Sequence, residues 1–327
     1  MKYAVGVGIS RGGDFQNSLC SLRKSAMPEL PEVETTARML NERVKGLVIS
    51  DIWTDYDSKF HRGKDNIKDK KYFAYFKKEL VGRKILGVRR RAKNVLIDVS
   101  GNKTILTHMK MTGHFLYGKY EYKDKKWSPV GDSPLKDPFN RFVHLVFILS
   151  NNHHLVLSDM RKFAKVFVFD TDRANRVGDI SRLGPEPLDK DFSYKIFKEK
   201  LLARSTGKIK SVLMDQEVIA GIGNIYSDEA LWTSGIHPET KVKNIAEEKL
   251  KSLFKNVIKI LRQSIGVGGD SMSDYRNPDG VKGRYQDSHK VYRRAGERCS
   301  LKGCKGIIKR IRVGGRSAHF CDCHQDK

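Results

Sequence analysis

The stretch "VIAGIGNIYSDEALW" (residues 218–232) decides how the second half of the chain folds. The segment leading into it, "KIKSVLMDQEVIA" (208–220), spaces its apolar residues as a helix does. The segment leading out, "NIYSDEALWTSG" (224–235), is helical until Gly235 stops it. Gly221, Gly223 and Asn224 lie between. The glycines permit a tight turn, and Asn224 is placed as N-cap of the second helix. A helix N-terminus with free N–H groups binds phosphate, but a plain helical hairpin capped by asparagine fits the same letters. On this motif alone the two readings stand even.

Downstream, Ile245, Leu250, Leu253, Phe254, Val257, Ile258 and Leu261 predict a longer helix over 245–265. Residues 266–284 are glycine-rich and polar, hence predicted mobile. Upstream, "RLGPEPLD" (182–189) has the Gly-Pro grammar of a linker. Before it, "NVLIDV", "TILTHM", "RFVHLVFIL", "HHLVLS" and "KVFVFD" are β-rich runs separated by turn residues. The Pro-punctuated segment 120–139 reads as a long loop. From Pro31, Val33, Ala37, Leu40 and Val44 predict a helix ended by Gly46. The fold class is α+β and multidomain: an extension (1–26), a β-sandwich with flanking helices (27–170), a linker (171–188), a helical domain (189–285) and a cysteine-bearing module (286–327).

Composition sets the partner class. Against 38 Asp+Glu the chain carries 63 Lys+Arg, a net charge of +25, which calls for a polyanion. No run approaches eighteen apolar residues, so no bilayer-spanning helix is expected. The first 26 residues lack a secretory apolar core and contain helix-breaking "RGGDFQNS". They read as a disordered tail or untranslated sequence, with a faint likeness to a transit peptide.

Four of the five cysteines fall at 299, 304, 321 and 323. They flank "KGIIKRIRVGGRSAHF", two short strands around Gly314-Gly315. Two pairs at the base of a coreless hairpin predict one structural zinc ion, since four ligands leave no open position. Cys299, Cys304 and Cys321 are three ligands. The fourth is Cys323, with His324 as the alternative, because Cys-x-Cys is cramped whereas Cys321 to His324 restores a two-residue gap. In "RRRAKNVL" (89–96) the arginines fit a solvated face, while Lys93 immediately precedes a strand and points with fixed geometry.

"MPELPEVE", "RRRAK", "HMKMTGHF", "SDMRKFAKV", "RLGPEPL", "LMDQEVIAGIGNIYSDEALW" and "GRYQDSHKVYRRAGERC…GGRSAHFC" follow in this order. Together they resemble the formamidopyrimidine-DNA glycosylase family from Met27 nearly to the C-terminus. The resemblance implies a β-sandwich, a helix–two-turn–helix domain and a zinc finger. It implies a monomeric bifunctional glycosylase and AP lyase of base excision repair acting on double-stranded DNA that contains oxidised bases or abasic sites. Its setting would be cytoplasmic, at the nucleoid in a bacterium. By the same resemblance Met111, Arg161 and Phe163 fill the gap left by the flipped nucleotide. Lys93, Asn224 and Arg316, with Lys210 and His108 as further DNA contacts, grip the strand near the lesion. Glu29 is the general acid/base, and Glu32 is a second active-site acid. The 266–284 loop resembles a segment that closes over 8-oxoguanine. That loop and "PELPE" favour oxidised purines, with oxidised pyrimidines as the alternative.

The family's chemistry is amine attack on C1′ of the sugar, giving an iminium that leads to β- and δ-elimination. A terminal amine near pKa 7.7–8.0 is roughly a tenth neutral at pH 7. Pro28 inside a chain is instead an amide whose lone pair is delocalised. An active enzyme therefore needs Pro28 freed by loss of Met27 and everything before it. A chain that keeps residues 1–26 would bind damage without cutting it.

Overall fold

A computed structural model describes residues 27–325. The expectation about residues 1–26 lies outside the described residues. Helix α1 (Leu30–Val44) begins with a reciprocal capping box between Glu29 and Glu32, with Pro31 in its first turn. Val33, Ala37, Leu40 and Val44 are buried on one face, as the spacing predicts.

Two four-stranded antiparallel sheets follow. One is ordered β1 (Ile49–Thr54), β8 (Val143–Leu149), β9 (His154–Asp159), β5 (Gly113–Gly118). The other runs β10 (Lys165–Asp170), β4 (Lys103–His108), β3 (Asn94–Val99), β2 (Ile85–Arg91). Their inner faces, α1 and α2 (Lys70–Leu80) share one apolar core that includes Phe76, Val95, Ile105, Phe115, Phe147 and Leu157. All five predicted strands are present. Segment 120–139 is not simply a loop. Its Tyr120–Lys123 (β6) and Lys126–Pro129 (β7) pair around Asp124 and Lys125, both at positive φ, and Trp127 packs against Trp53 and Tyr122.

After the short helix α3 (Gly178–Ser181) come α4 (Tyr194–Leu202), α5 (Ile209–Met214), α6 (Asn224–Thr233) and α7 (Glu247–Gly266). They bury a second core of Phe197, Leu213, Ile222, Tyr226, Leu231 and Leu253, to which α1 contributes Leu30. The predicted 208–220 helix stops at Met214. There the Gln216 side chain takes over the backbone, donating to the Met214 and Ile222 carbonyls and accepting from Gly221 N–H at 2.9 Å. Gly221 has φ +88°, and a Cβ there would lie 2.6 Å from Leu30 Cδ1, so glycine is required on both counts. Strands β11 (Ile308–Val313) and β12 (Arg316–Cys321) form the last hairpin. No helix among the described residues is long and apolar enough to cross a membrane.

Residues 266–284 are not loose. Tyr275 O–H donates to the Glu32 carbonyl (3.0 Å), and buried Arg276 pairs with Asp137 (3.1 Å) over the Phe139 ring. The Pro278 carbonyl accepts from Tyr117 N–H. The glycines suggested mobility, but the long polar side chains among them reach partners on the sandwich.

Candidate active site

Between the two cores lies a cleft of about 1640 Å³. Its lining includes Met27, Glu29, Lys93, His108, Met111, Arg161, Phe163, Asn224 and Arg316, so most residues singled out in the sequence converge there. Pro28 is buried and is not itself part of the lining, although its chain neighbours Met27 and Glu29 both are.

Glu29 joins the two halves of the molecule. Its Oε1 accepts from Ile225 N–H at 2.9 Å, at the start of α6. Asn224 is therefore not the N-cap: Gly223 holds that position without a side-chain bond, and the carboxylate of Glu29 serves instead. A Cβ at Gly223 would sit 2.6 Å from Glu29 Oε1, which reserves the place for glycine. Asn224 Oδ1 and Glu29 Oε2 are both buried with no hydrogen-bond partner. Burial pushes the Glu29 carboxyl above its ordinary range, opposed by the charge of Lys93.

Glu32 lies one turn deeper, outside the cleft lining. It accepts Glu29 N–H (2.8 Å), Tyr226 O–H (2.5 Å) and Asp270 N–H (2.7 Å). Burial and the nearby Asp270 push it up to about 8. Its place is beneath Glu29, where it fixes the peptide that joins Pro28 to Glu29.

Lys93 occupies the two-residue turn of the β2–β3 hairpin after Ala92, which has φ +51°. Burial lowers its pKa, opposed by Glu29 and reinforced by Arg316. Glu186 of the linker fixes this turn, accepting from Ala92 N–H (2.6 Å) and pairing with Arg90 (2.5 Å) and Arg91 (2.9 Å). The run "RRR" is thus partly an internal brace, not only a solvated face.

The wedge candidates sit on two loops tied at Asp159. Its carboxylate accepts from Thr112 O–H (2.5 Å), Tyr56 O–H (3.2 Å) and Ala164 N–H (2.8 Å), while Thr112 Oγ1 accepts Arg161 N–H (3.0 Å). Sequence reading missed Asp159 and Thr112, although both fall inside the quoted motifs. The Arg161 guanidinium lies 5.5 Å from the Phe163 ring centre, and Phe163 is exposed. Lys110 and Lys162, beside the wedge residues, have positive φ, the kind of backbone strain found at functional sites. His108 is pushed down to about 3 by burial and by Lys110 and Lys93. Its Nδ1 accepts from Lys110 N–H, so it presents a neutral N–H rather than a cation.

Lys210 is a correction. It is fully buried in an ion pair with Asp228, whose other oxygen accepts from His319 N–H (3.0 Å) and Nδ1–H (2.9 Å). It fastens α5 to α6 and β12 and cannot reach a phosphate. Next to it, Glu229 accepts the N–H groups of Lys290, Val291 and Tyr292. These two acids dock the last hairpin, carrying exposed Arg316, onto α6.

The metal-ligand atoms of Cys299, Cys304, Cys321 and His324 lie within 4.8 Å of one another. Cys323 is corrected out of this set: its thiol is exposed, and its N–H donates to Cys321 Sγ. The Cys323 thiol lies near Cys304 but is not among the ligand atoms that all lie within that distance, whereas His324, one residue further, is. His324 Nε2–H donates to the Trp232 carbonyl at 3.0 Å, leaving Nδ1 free to ligate. Gly306 N–H and His324 help hold the Cys304 thiol down at about 6. Three soft sulfurs and one oriented imidazole fit a tetrahedral metal ion.

Known relatives match nearly the whole chain in sequence and in fold. The profile of the formamidopyrimidine-DNA glycosylase N-terminal domain matches residues 27–166, and that of the family's H2TH domain matches 183–276. The chain belongs to the formamidopyrimidine-DNA glycosylase family. That places it among the DNA glycosylases of base excision repair. It is 35% identical to the formamidopyrimidine-DNA glycosylase of Lactococcus lactis subsp. cremoris, over 92% of this chain and 100% of the relative. The Heliobacterium modesticaldum enzyme is also 35% identical, over 90% and 98%. A Lactococcus lactis family structure in complex with abasic-site DNA superposes with TM-score 0.76 at 33% identity, covering 91% of this chain and 100% of that one. A complex of an L. lactis point mutant with Fapy-dG DNA gives 0.76 at 34%, over 92% and 100%.

Proposed function

We propose that this chain is a monomeric bifunctional DNA glycosylase and AP lyase that excises oxidised purines from double-stranded DNA and then cleaves the strand. The observation that carries the reading is Glu29: a buried carboxyl with one unpartnered oxygen, beside Pro28 and across from Lys93, at the floor of a cationic cleft. A carboxyl whose pKa is raised by burial holds a proton more readily than an exposed one and is placed to donate it to the sugar ring oxygen or the departing base. The freed Pro28 nitrogen attacks C1′, the C1′–N bond to the base breaks, and the resulting iminium undergoes β- and then δ-elimination. Met111, Arg161 and Phe163 occupy the vacated stack. Lys93, Asn224 and Arg316 converge on the backbone of the extruded nucleotide. Cys299, Cys304, Cys321 and His324 would hold one zinc ion that keeps the hairpin, and hence Arg316, in place.

Two features support Pro28 as the nucleophile: the family profile begins at Met27, and Pro28 adjoins the acid it needs. Oxidised pyrimidine is the alternative substrate, since an L. lactis family structure contains oxidised-pyrimidine DNA. A second nucleophile reading rests on Lys93, whose burial favours the neutral amine. Borohydride trapping on an 8-oxoguanine duplex separates them. A chain beginning at Met27 is expected to trap, and the chain with residues 1–26, verified by intact mass, is not. Equal trapping by both, abolished by Lys93→Ala, would transfer the role to Lys93. Binding should also fall steeply between 50 and 200 mM salt, by about 0.9 in log–log slope per phosphate contact. A flat dependence would contradict the cleft as the DNA site.

A further inference from the structure

Phe60 is 88% exposed, more than any other large apolar side chain among the described residues. It projects from the turn "SKFHRGK" (58–64), where Lys59, Arg62 and Lys64 are exposed and no acid intervenes. Phe60, Ser58 and His61 line the same cleft as the wedge residues, yet none of the motifs behind the family resemblance includes this turn.

The turn is built to hold its shape. Ser58 N–H donates to the Lys68 carbonyl (3.0 Å), Ser58 Oγ bonds His61 Nδ1 (2.9 Å), and Gly63 N–H donates to Asp69 (3.1 Å). It is also fastened to the wedge. Lys68 Nζ donates to the Lys162 carbonyl at 2.6 Å, and Tyr56 O–H donates to Asp159. The turn that carries Phe60 is therefore tied to the segment that carries Arg161 and Phe163. An aromatic ring held in water at the mouth of a cationic cleft has the form of a stacking platform, with the cations placed for phosphates. A wedge that unstacks a base step opens base faces beside it.

We propose that the 58–64 turn is a second DNA-binding element, in which Phe60 stacks on a base next to the wedged step and Lys59, Arg62 and Lys64 hold the flanking phosphates. This rests on the reading of the cleft as the DNA site. The test is polarisation binding of the full chain to a duplex carrying a tetrahydrofuran abasic analogue. Phe60→Ala is expected to weaken binding about tenfold with an unchanged salt slope. The combined Lys59→Ala, Arg62→Ala, Lys64→Ala variant is expected to lower the slope by about 2–3. F60W is expected to lose emission on DNA addition beyond the change in wild type. Binding by Phe60→Ala within twofold of wild type overturns the proposal while the DNA reading stands. Failure of wild type to bind overturns both.

Discussion

Lys210 and Asp228 are 0% exposed, and Lys93 and Glu29 are only 6% and 2% exposed, yet the two lysine–carboxylate sets are completed differently. Asp228 spends both oxygens on Lys210 and His319. Glu29 spends one oxygen on the α6 backbone and leaves the other without a partner, and no ion pair closes between it and Lys93 among the described residues. A saturated buried pair is a fastener, because its charges are already neutralised. An unsaturated one in a cleft holds groups whose protonation the next ligand can change. Lys93 stands in a β-hairpin turn and Lys210 in a helix, and neither pattern records the lysine's partner, so only geometry sorts their roles.

The sharpest break of this contrast is Glu29→Gln. It should slow base release about 10²–10⁴-fold, while affinity for an abasic analogue stays within threefold. Single-turnover excision beside binding would expose a merely structural Glu29, which would lose both together. Lys210→Met should do the reverse. Stranding the Asp228 charge should cost about 3–5 kcal/mol of stability, read as a lower urea midpoint, with the salt slope of DNA binding unchanged in the folded fraction. A reduced salt slope would return Lys210 to the phosphate contacts. Metal chelation should weaken DNA binding by roughly 1.5–3 kcal/mol, the worth of one charge-assisted bond such as that of Arg316, while near-ultraviolet signals of Trp53 and Trp127 in the sandwich persist. Unchanged affinity would deny the hairpin its role. Taken over a single pH unit, the smallest effect is in pH. Because the folded pKa of Glu32 is raised from 4.5 to about 8, its contribution is fully present below the unfolded value and is lost as pH rises through about 8. Stability should therefore decline across that window, by at most about 1.4 kcal/mol per pH unit. In Glu32→Gln that slope should vanish, since no proton titrates there.

What sequence could not show was partnership. The 208–220 helix stopped early because Gln216 bonds the backbone of its own turn, a side-chain choice that apolar spacing does not record. Segment 266–284 looked mobile from its glycines, but Tyr275 and Arg276 find partners on the sandwich, far away in the chain. Cys323 and His324 differ by one residue, and the direction of the chain after β12 selected the histidine.

Sequence by itself determined the α+β order, the sandwich strands, the helical turn at 221–224 and the cysteine-bearing hairpin, and its resemblance to the family named several of the residues that line the cleft. The elements rest on periodicity, turn chemistry and ligand spacing, which are local, whereas the cleft residues rest on the resemblance. Tertiary structure decided which buried lysine is a fastener, that Glu29 rather than Asn224 caps α6, that Glu32 fixes the peptide before Glu29, and that Asp159 ties together the loops carrying Met111, Arg161 and Phe163. Those outcomes depend on groups brought within about 3 Å across large sequence separations, where burial decides whether a charge is neutralised or left to react.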